Sequence, residues 1–431
     1  MKMNKTLLST AVAVGLLSTS TVTQAAGFQL AEYSATGLGR AYAGEAAMAD
    51  GADAQWRNPA MLTYLEGTQV SVGGIYVNPN IDVKGEVNHA HPAIGTSQAS
   101  SDDFADDAII PNLYISHRYN EKFAIGFAFG TNYGMETNLG DDFNASHFGN
   151  EASVITKEAN LNFAYQIVEQ VSIGGGIRYV MGEGSFGATT PAKNALGLPE
   201  GTTLKYMEGD DTAWGWQVGT AWQINESNRI GFAYKSEVEL KLEGHAEGMG
   251  FGLNPGQRDN GHMMLALPAT AELASFHQLT ETLAVHASFN WTDWSSFEKL
   301  QAELNNYGSQ TVKVENWEDN YRLALGATYQ VDPKLALRTG VAYDTSAVSD
   351  KNRTITIPET DRTWLSIGAG YQWSEQLSLD AGFTYIIAKD APITESRGYE
   401  SDNVAEAVSG QFVGTTTGNV WLVGVQANYR F

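Results

Sequence analysis

The sequence contains no cysteine, which excludes a disulfide framework, a thiolate metal site and a cysteine nucleophile. Basic residues are also scarce: 26 Lys and Arg stand against 49 Asp and Glu, and the formal net charge is −23. A chain this acidic repels phosphate backbones, so nucleic acid is not an expected partner. After residue 25 the chain lacks a run of roughly 18 consecutive apolar residues. If the chain crosses a membrane, it must therefore do so as a β-barrel.

The N-terminus has the layout of a secretory signal peptide. Lys2 and Lys5 precede an apolar run from Leu7 to Leu17, and a polar stretch then ends at Ala25. An apolar run of about eleven residues is too short to cross a bilayer as a helix. We therefore assign residues 1–25 to the signal peptide and expect the mature chain to begin at Ala26. A Pro/Ser-rich linker is lacking, so one large domain is the simplest organisation of the remainder.

Apolar and polar residues alternate along most of the chain, as they do in β-strands. Between Val420 and Phe431, for example, apolar and aromatic side chains occupy one face and Gly, Gln, Asn and Arg the other. The apolar faces end in Tyr or Trp, and the chain ends on an aromatic residue, as in outer-membrane barrels. The connections between the predicted strands alternate between short and long. This pattern predicts an all-β fold, a transmembrane antiparallel barrel formed by residues 68–431. The predicted barrel has about fourteen strands, which start near residues 68, 108, 121, 151, 170, 204, 228, 263, 281, 309, 334, 361, 376 and 418.

Residues 26–67 do not alternate and are rich in Ala and Gly. Small side chains suit a compact segment packed inside a barrel lumen, and we interpret these residues as an N-terminal hatch. A flexible periplasmic tail is the alternative. Asn58 and Pro59 predict a stiff turn near the end of this segment, because proline restrains the backbone and asparagine hydrogen-bonds to neighbouring peptide groups.

The predicted third strand alternates through Phe123, Ile125, Phe127 and Phe129 and then loses its pattern. The sequence continues as Gly130-Thr131-Asn132-Tyr133-Gly134, where missing side chains and polar residues favour a bulge or a kink. The alternative is an ordinary frayed strand end.

Three groups of residues resemble the FadL family of outer-membrane channels for long-chain fatty acids and other hydrophobic molecules. They are the string Ala26 to Leu30, the string Gly37 to Tyr42, and Arg57-Asn58-Pro59-Ala60. Thr131 to Gly134, Arg353 to Pro358 and the strand beginning at Tyr321 are also similar to the family. The resemblance covers nearly the whole mature chain and is weakest in the long loops.

The resemblance implies a fourteen-stranded barrel closed by an N-terminal hatch, with a kinked third strand that opens a side passage at Gly130, Thr131, Asn132, Tyr133 and Gly134. External loops would capture the ligand, which then binds in a lumen pocket that includes Phe28 and Leu30. The hatch would shift at Asn58, Pro59 and Ala60, and the ligand would leave sideways through the wall.

Lys313 matches a family residue that lies near the ligand carboxylate. However, strict alternation from Tyr321 points Lys313 outward unless a bulge intervenes, and a second basic pocket residue of the family aligns with Ala188. A solvated lysine is the alternative. The resemblance implies no chemical step and no cofactor. It implies outer-membrane lipid and lipopolysaccharide as surroundings, and recognition of the last strand, ending at Phe431, by the barrel assembly machinery of a Gram-negative cell.

Parts of the sequence also suggest other functions. A sister branch of the family carries aromatic hydrocarbons, and the sequence does not separate the two branches. His286 and Ser288 share one face of a strand and have the spacing of an outer-membrane lipid hydrolase; their neighbours place both in the lumen. A general porin is disfavoured because a hatch would block free diffusion. The acidic loop residues around Asp102 and Asp141 lack the spacing of a calcium loop, and no metal site is expected.

Overall fold

The computed structural model describes residues 27–396 and 409–431. The predicted signal peptide, residues 1–25, and the predicted mature N-terminus at Ala26 lie outside the described residues. None of the described helices is long and apolar enough to cross a membrane.

The described residues form one closed antiparallel sheet, which confirms the predicted all-β barrel. The sheet contains these strands: β1 Thr68–Asn88, β2 Thr96–Ser101, β3 Ala108–Arg118, β4 Phe123–Gly130, β5 Gly134–Asn138, β6 Glu151–Val168, β7 Val171–Thr189, β8 Thr203–Asn225, β9 Asn228–Lys235, β10 Val238–Glu247, β11 Arg258–Leu267, β12 Thr270–Gln278, β13 Leu283–Thr292, β14 Lys299–Leu304, β15 Gly308–Val314, β16 Asn320–Gln330, β17 Leu335–Asp344, β18 Arg362–Gln372, β19 Leu377–Ala388, β20 Ala391–Ser396 and β21 Gln411–Arg430. The first and last strands pair from Gln69 with Arg430 to Asn88 with Gln411, so the sheet closes on itself.

These segments build a wall of 14 strands within the described part of the chain. Six wall strands are interrupted, so that each consists of two segments: β4 and β5, β9 and β10, β11 and β12, β13 and β14, β15 and β16, and β19 and β20. Strand β2 pairs only with the end of β1 and forms an external hairpin with it. The predicted starts agree with the wall strands to within two residues, except that two strands begin earlier, at Arg258 and Gln411.

The side chains on the wall follow the predicted alternation. In β18, Leu365 and Ile367 are exposed on the outer face, whereas Trp364 and Ser366 are buried in the lumen. Outward-facing aromatic residues, including Tyr343, Tyr371 and Trp373, lie near the strand ends, as expected of the interfacial girdles of a membrane barrel.

Residues 27–67 lie inside the barrel as the hatch. They contain the short helices α1 (Ala35–Leu38) and α2 (Ala54–Arg57) and two 3-10 turns, Glu45–Ala47 and Pro59–Tyr64. Ser34 caps α1 by accepting a hydrogen bond from the Gly37 amide, and Asn58 caps the second turn in the same way from the Ala60 amide. Two further 3-10 turns lie outside the hatch: Met249–Phe251 connects β10 to β11, and Trp294–Ser296 lies in the interruption between β13 and β14. The hatch therefore fills the lumen that the wall encloses.

Candidate functional site

The wall has a gap where the third wall strand is interrupted. Phe129 of β4 still pairs with Leu113 of β3, but β5, which begins at Gly134, pairs with β6. Within the described residues, Ala108–Asn112 of β3 pair with β1 on one side and with no strand on the side facing the gap. Thr131 to Tyr133 leave the ladder between the two segments. The five residues predicted for a lateral opening thus lie at the edge of a wall gap.

The N-terminal end of the hatch fills this gap from inside. The Leu30 amide donates to the Asn132 carbonyl oxygen at 2.7 Å, and the Gly134 amide donates to the Phe28 carbonyl oxygen at 2.7 Å. Between them, Gln29 and Tyr133 form an antiparallel bridge. A short strand-like segment of the hatch therefore satisfies the backbone groups that the gap leaves open.

Phe28 projects from this segment into an aromatic cage. Its ring centroid lies 4.6 Å from that of Trp294, 5.7 Å from Phe297, 6.0 Å from Trp317 and 6.1 Å from Tyr133. Trp294 and Phe297 come directly after β13, and Trp317 comes after β15; both strands are interrupted at these points. Edge-to-face packing of this kind stabilises a buried aromatic side chain beyond the effect of its buried area.

The residue before Phe28 must be glycine. Gly27 has a φ of +62°, and a Cβ atom there would lie 2.5 Å from the Trp317 ring and 2.6 Å from the Trp294 ring. Both the left-handed backbone and the close rings exclude a side chain. The sequence pattern alone did not single out Trp294 or Trp317, because neither residue belongs to an alternating strand.

A narrow apolar cavity adjoins Phe28. Its free volume is about 40 Å³. Most of its lining is apolar, and Lys313, Glu315 and Thr356 form a polar part. The apolar lining residues are Phe28, Met135, Ala152, Val154, Phe186, Met207, Leu242, Met263, Leu265, Phe297, Leu300 and Ile357. Leu30 is buried but belongs to the neighbouring cluster of hatch and wall residues, so the structure brings Phe28 and Lys313 together in one cavity without Leu30.

Lys313 points into the cavity because of a β-bulge. Leu300 pairs with Lys313, whereas the next residue, Gln301, pairs with Thr311, so the extra residue Val312 shifts the alternation by one position. Both Val312 and Lys313 are consequently buried. Strict alternation would point Lys313 outward, and the bulge reverses this orientation.

The Lys313 ammonium has buried polar partners. Its Nζ lies 2.8 Å from Glu395 Oε1, donates to Thr356 Oγ1 at 3.2 Å, and sits 5.4 Å from the centre of the Phe186 ring. Glu315, just after β15, also lines this cavity. Ala188 lies in the same buried cluster and supplies no second cation.

The Asn58-Pro59-Ala60 segment joins the hatch to the wall. The Asn58 side-chain amide donates to the Ala46 carbonyl at 2.6 Å within the hatch and to the Thr220 carbonyl of β8 at 3.0 Å. Pro59 and Ala60 press against the bare backbone of Gly174 in β7. A movement of this segment would thus change contacts in both the hatch and the wall.

Buried ion pairs also hold the hatch, and the sequence analysis did not identify them. Arg40 Nη2 lies 2.8 Å from Glu45 Oε1 and 2.6 Å from Asp50 Oδ2, all within the hatch. Arg57 Nε lies 3.4 Å from Glu272 Oε2 of β12. The only sequence signal for such pairs is the presence of charged residues within an otherwise small and apolar segment.

The hydrogen-bond partners of His286 and Ser288 are other residues. His286 Nε2 lies 2.9 Å from Thr328 Oγ1, and its ring stacks on Phe276. The Ser288 hydroxyl instead donates to the Tyr42 carbonyl of the hatch at 3.5 Å. Both side chains are buried; the contacts of His286 lie within the wall, whereas the Ser288 contact joins the wall to the hatch.

A closed membrane barrel with an internal hatch, an apolar cavity and a wall gap defines an outer-membrane transport channel for hydrophobic compounds. A profile of the family described as "Outer membrane protein transport protein (OMPP1/FadL/TodX)" matches residues 16–431. The chain therefore belongs to this family of outer-membrane transporters.

Similar proteins cover the same length. The chain is 35% identical over 466 residues to "Outer membrane protein P1" of Haemophilus influenzae, with 100% of both chains covered. It is 33% identical over 453 residues to the "Long-chain fatty acid transport protein" of Escherichia coli O6:H1, covering 98% of this chain and 97% of the other.

Two solved structures share the fold. A FadL homologue of Pseudomonas aeruginosa superposes with a TM-score of 0.82 at 22% identity and covers 94% of this chain and 100% of its own. The toluene transporter TbuX of Ralstonia pickettii gives a TM-score of 0.65 at 18% identity, covering 93% and 98%.

Proposed function

We propose that this channel takes up long-chain fatty acids passively and releases them sideways into the outer membrane. The observation that carries the proposal is the cavity beside Phe28, which is apolar along most of its lining and polar at the buried Lys313 ammonium. An amphipathic acid has the matching chemistry, since its chain suits the apolar lining and its carboxylate suits a cation with a neighbouring hydroxyl.

Ligand binding displaces side chains in this proposal. The free volume of about 40 Å³ holds little more than one water molecule, far less than a long acyl chain. Phe28 is the side chain that links the cavity to the gap, because its own carbonyl accepts the Gly134 amide. A ligand that moves Phe28 therefore loosens the segment that fills the wall gap, and a shift of the Asn58-Pro59-Ala60 segment frees the hatch.

The energetics favour a lateral exit over a path through the barrel. Burial in hydrocarbon stabilises an acyl chain by about 0.8 kcal/mol for each methylene. A fatty acid that entered the periplasm would lose this stabilisation. The gap between β3 and β5 lies directly beside the cavity, because Met135 of β5 lines it. The family relative named a long-chain fatty acid transport protein supports the choice of solute.

The exit route is tested by Gly134→Trp, which adds bulk at the edge of the gap and disturbs the bond to Phe28. We expect uptake of labelled oleate to fall by about tenfold or more in cells that lack another fatty acid transporter. Gly175→Trp is the matched control, because Gly175 faces outward on the uninterrupted strand β7. Heat-modifiable migration in gels checks that each barrel is folded. Parental uptake by a folded Gly134→Trp protein would contradict the lateral route.

An aromatic hydrocarbon is the second candidate solute, since the cage of Trp294, Phe297, Trp317 and Tyr133 already holds the benzene ring of Phe28. The compound that co-purifies with the folded protein distinguishes the two candidates: a fatty acid supports the first and an aromatic compound the second. Neither candidate involves a chemical step, and we propose none for His286 or Ser288. If the parental protein hydrolysed lipid and Ser288→Ala lost this activity, a chemical step at Ser288 would have to be accepted.

A further inference from the structure

A second buried cation, Lys235, lies beside the wall gap and has no role in the function proposed above. Lys235 is the last residue of β9 and is only 4% exposed. Its Nζ donates to the Asn132 side-chain oxygen at 3.0 Å and sits 4.4 Å from the centre of the Trp56 ring. Among the described residues, no carboxylate oxygen lies within 4.0 Å of this nitrogen. Lys235 thus presents a buried amino group that is held by an amide oxygen and an indole face.

The nearby carboxylate is already committed to another cation. Glu158 accepts two bonds from Arg178, both at 2.8 Å, and a third from the Asn132 side-chain amide at 2.7 Å. The charged groups that face Lys235 are Glu158, Arg178, Arg57 and Glu272. Arg178 pairs with Glu158, and Arg57 pairs with Glu272, so neither carboxylate is left for Lys235. A buried amino group without a carboxylate is favoured in its charged form when an anion approaches it.

Lys235 lies between the wall gap and the hatch. Asn132 lies in the wall gap, and its carbonyl accepts the Leu30 amide of the segment that fills the gap. Trp56 belongs to helix α2 of the hatch, directly before the Asn58 segment. The ammonium thus contacts both the gap and the hatch. A solute that displaces the N-terminal segment and leaves through the gap passes Asn132, the residue that shields Lys235.

We propose that Lys235 binds the carboxylate of an amphiphilic solute at the lateral opening. The inference rests on the proposed function and adds an anion site at the exit, separate from Lys313. A carboxylate entering the wall needs a charged partner, because the surrounding hydrocarbon does not solvate it. Lys235 supplies one without a new dehydration cost, since the protein already holds this ammonium away from water. The carboxylate replaces the Asn132 oxygen, and the freed amide loosens the edge of the gap.

The test compares two solutes of equal chain length, oleate and its uncharged methyl ester, in Lys235→Met. We expect oleate uptake to fall by about tenfold, the usual effect of one charge-assisted hydrogen bond, and methyl oleate uptake to stay near the parental rate. Lys235→Gln serves as a second neutral variant, and Lys235→Arg should restore the preference for the acid. Lys241→Met is the matched control, because Lys241 lies exposed on the adjoining segment β10 beside Glu243.

Each outcome decides the proposal. A loss confined to oleate in the folded neutral variants supports it. An equal loss of oleate and methyl oleate overturns it, because Lys235 would then only hold the gap together, and parental oleate uptake overturns it as well. If the parental protein takes up neither solute, the proposed function fails together with this inference. If the parental protein takes up oleate and the Lys235 variants take it up as fast as Lys241→Met does, the proposed function stands and the inference alone fails.

Discussion

The contact between Gly174 and the hatch allows a sharp test of how the lumen is closed. Gly174 faces the lumen on β7, and a Cβ atom there would lie 2.4 Å from the Ala60 amide nitrogen and 2.5 Å from the Pro59 carbonyl carbon. Ordinary contacts of a Cβ atom begin at 3.4 Å. The single methyl group of Gly174→Ala must therefore push the end of the hatch away from the wall by about 1 Å.

The expected effect can be estimated from packing energetics. Forcing one methyl group into a well-packed contact costs about 1–3 kcal/mol. The hatch carries that cost only when it is docked, so the equilibrium between docked and displaced hatch should shift by roughly 5- to 150-fold. The wall itself is spared, because strand β7 keeps its hydrogen bonds to β6 and β8. We expect frequent current openings in planar bilayers from a barrel of normal heat-modifiable mobility.

The neighbouring residue is the matched control. A Cβ atom on Gly175 would meet the Gln217 carbonyl oxygen at 3.5 Å and a Val218 methyl at 4.0 Å, both ordinary contacts on the outer side of the wall. Gly175→Ala should therefore be electrically as quiet as the parental protein. If Gly174→Ala and Gly175→Ala show the same current trace, the hatch does not depend on this contact and the reasoning is wrong.

Two further predictions concern the hatch. Burial raises the pKa of the Glu32 carboxyl to about 7 from its usual 4.5, with Arg362 and Arg322 opposing the shift, so the folded hatch favours the neutral acid. This stabilisation is complete below pH 4.5 and is lost as the pH rises through about 7. The temperature of heat-modifiable unfolding should hence fall between those pH values in the parental protein and fall by a smaller amount in Glu32→Gln, which keeps the buried Asp53 carboxyl with a pKa also raised to about 7; equal pH dependence would refute the assignment. Deleting residues 58–60 removes the Asn58 bond to the Thr220 carbonyl of the wall and the Asn58 bond to Ala46 within the hatch. We expect a folded, surface-exposed barrel with impaired oleate uptake, measured as growth on oleate as sole carbon source; normal growth would count against it.

Much of the wall was predictable from the sequence, because strand alternation is a local property. A β-strand places successive side chains on opposite faces, and lipid selects apolar residues for one of them. The starts near residues 68, 108, 151 and 228 accordingly coincide with observed strands. The interruption after Phe129 was also visible locally, since glycine and polar residues break the pattern.

The candidate site depended on contacts that no local pattern records. Lys313 faces the cavity only because Val312 adds a residue to β15, and an alternating pattern does not reveal where a bulge will fall. The family resemblance pointed to this residue, whereas periodicity alone pointed it outward. No local pattern pointed to Lys235 either, because its two contacts are with Asn132 and Trp56, which are distant along the chain.

The sequence by itself determined the class of fold, because hydrophobic alternation, aromatic ends of the apolar faces and the lack of long apolar runs together indicate a membrane barrel. Only the tertiary structure decided how the barrel is closed. The bonds from Leu30 to Asn132 and from Gly134 to Phe28 join segments about 100 residues apart, and they form because the gap leaves backbone groups that must be satisfied. Such pairing follows from three-dimensional proximity, which a one-dimensional pattern of apolar and polar residues does not encode.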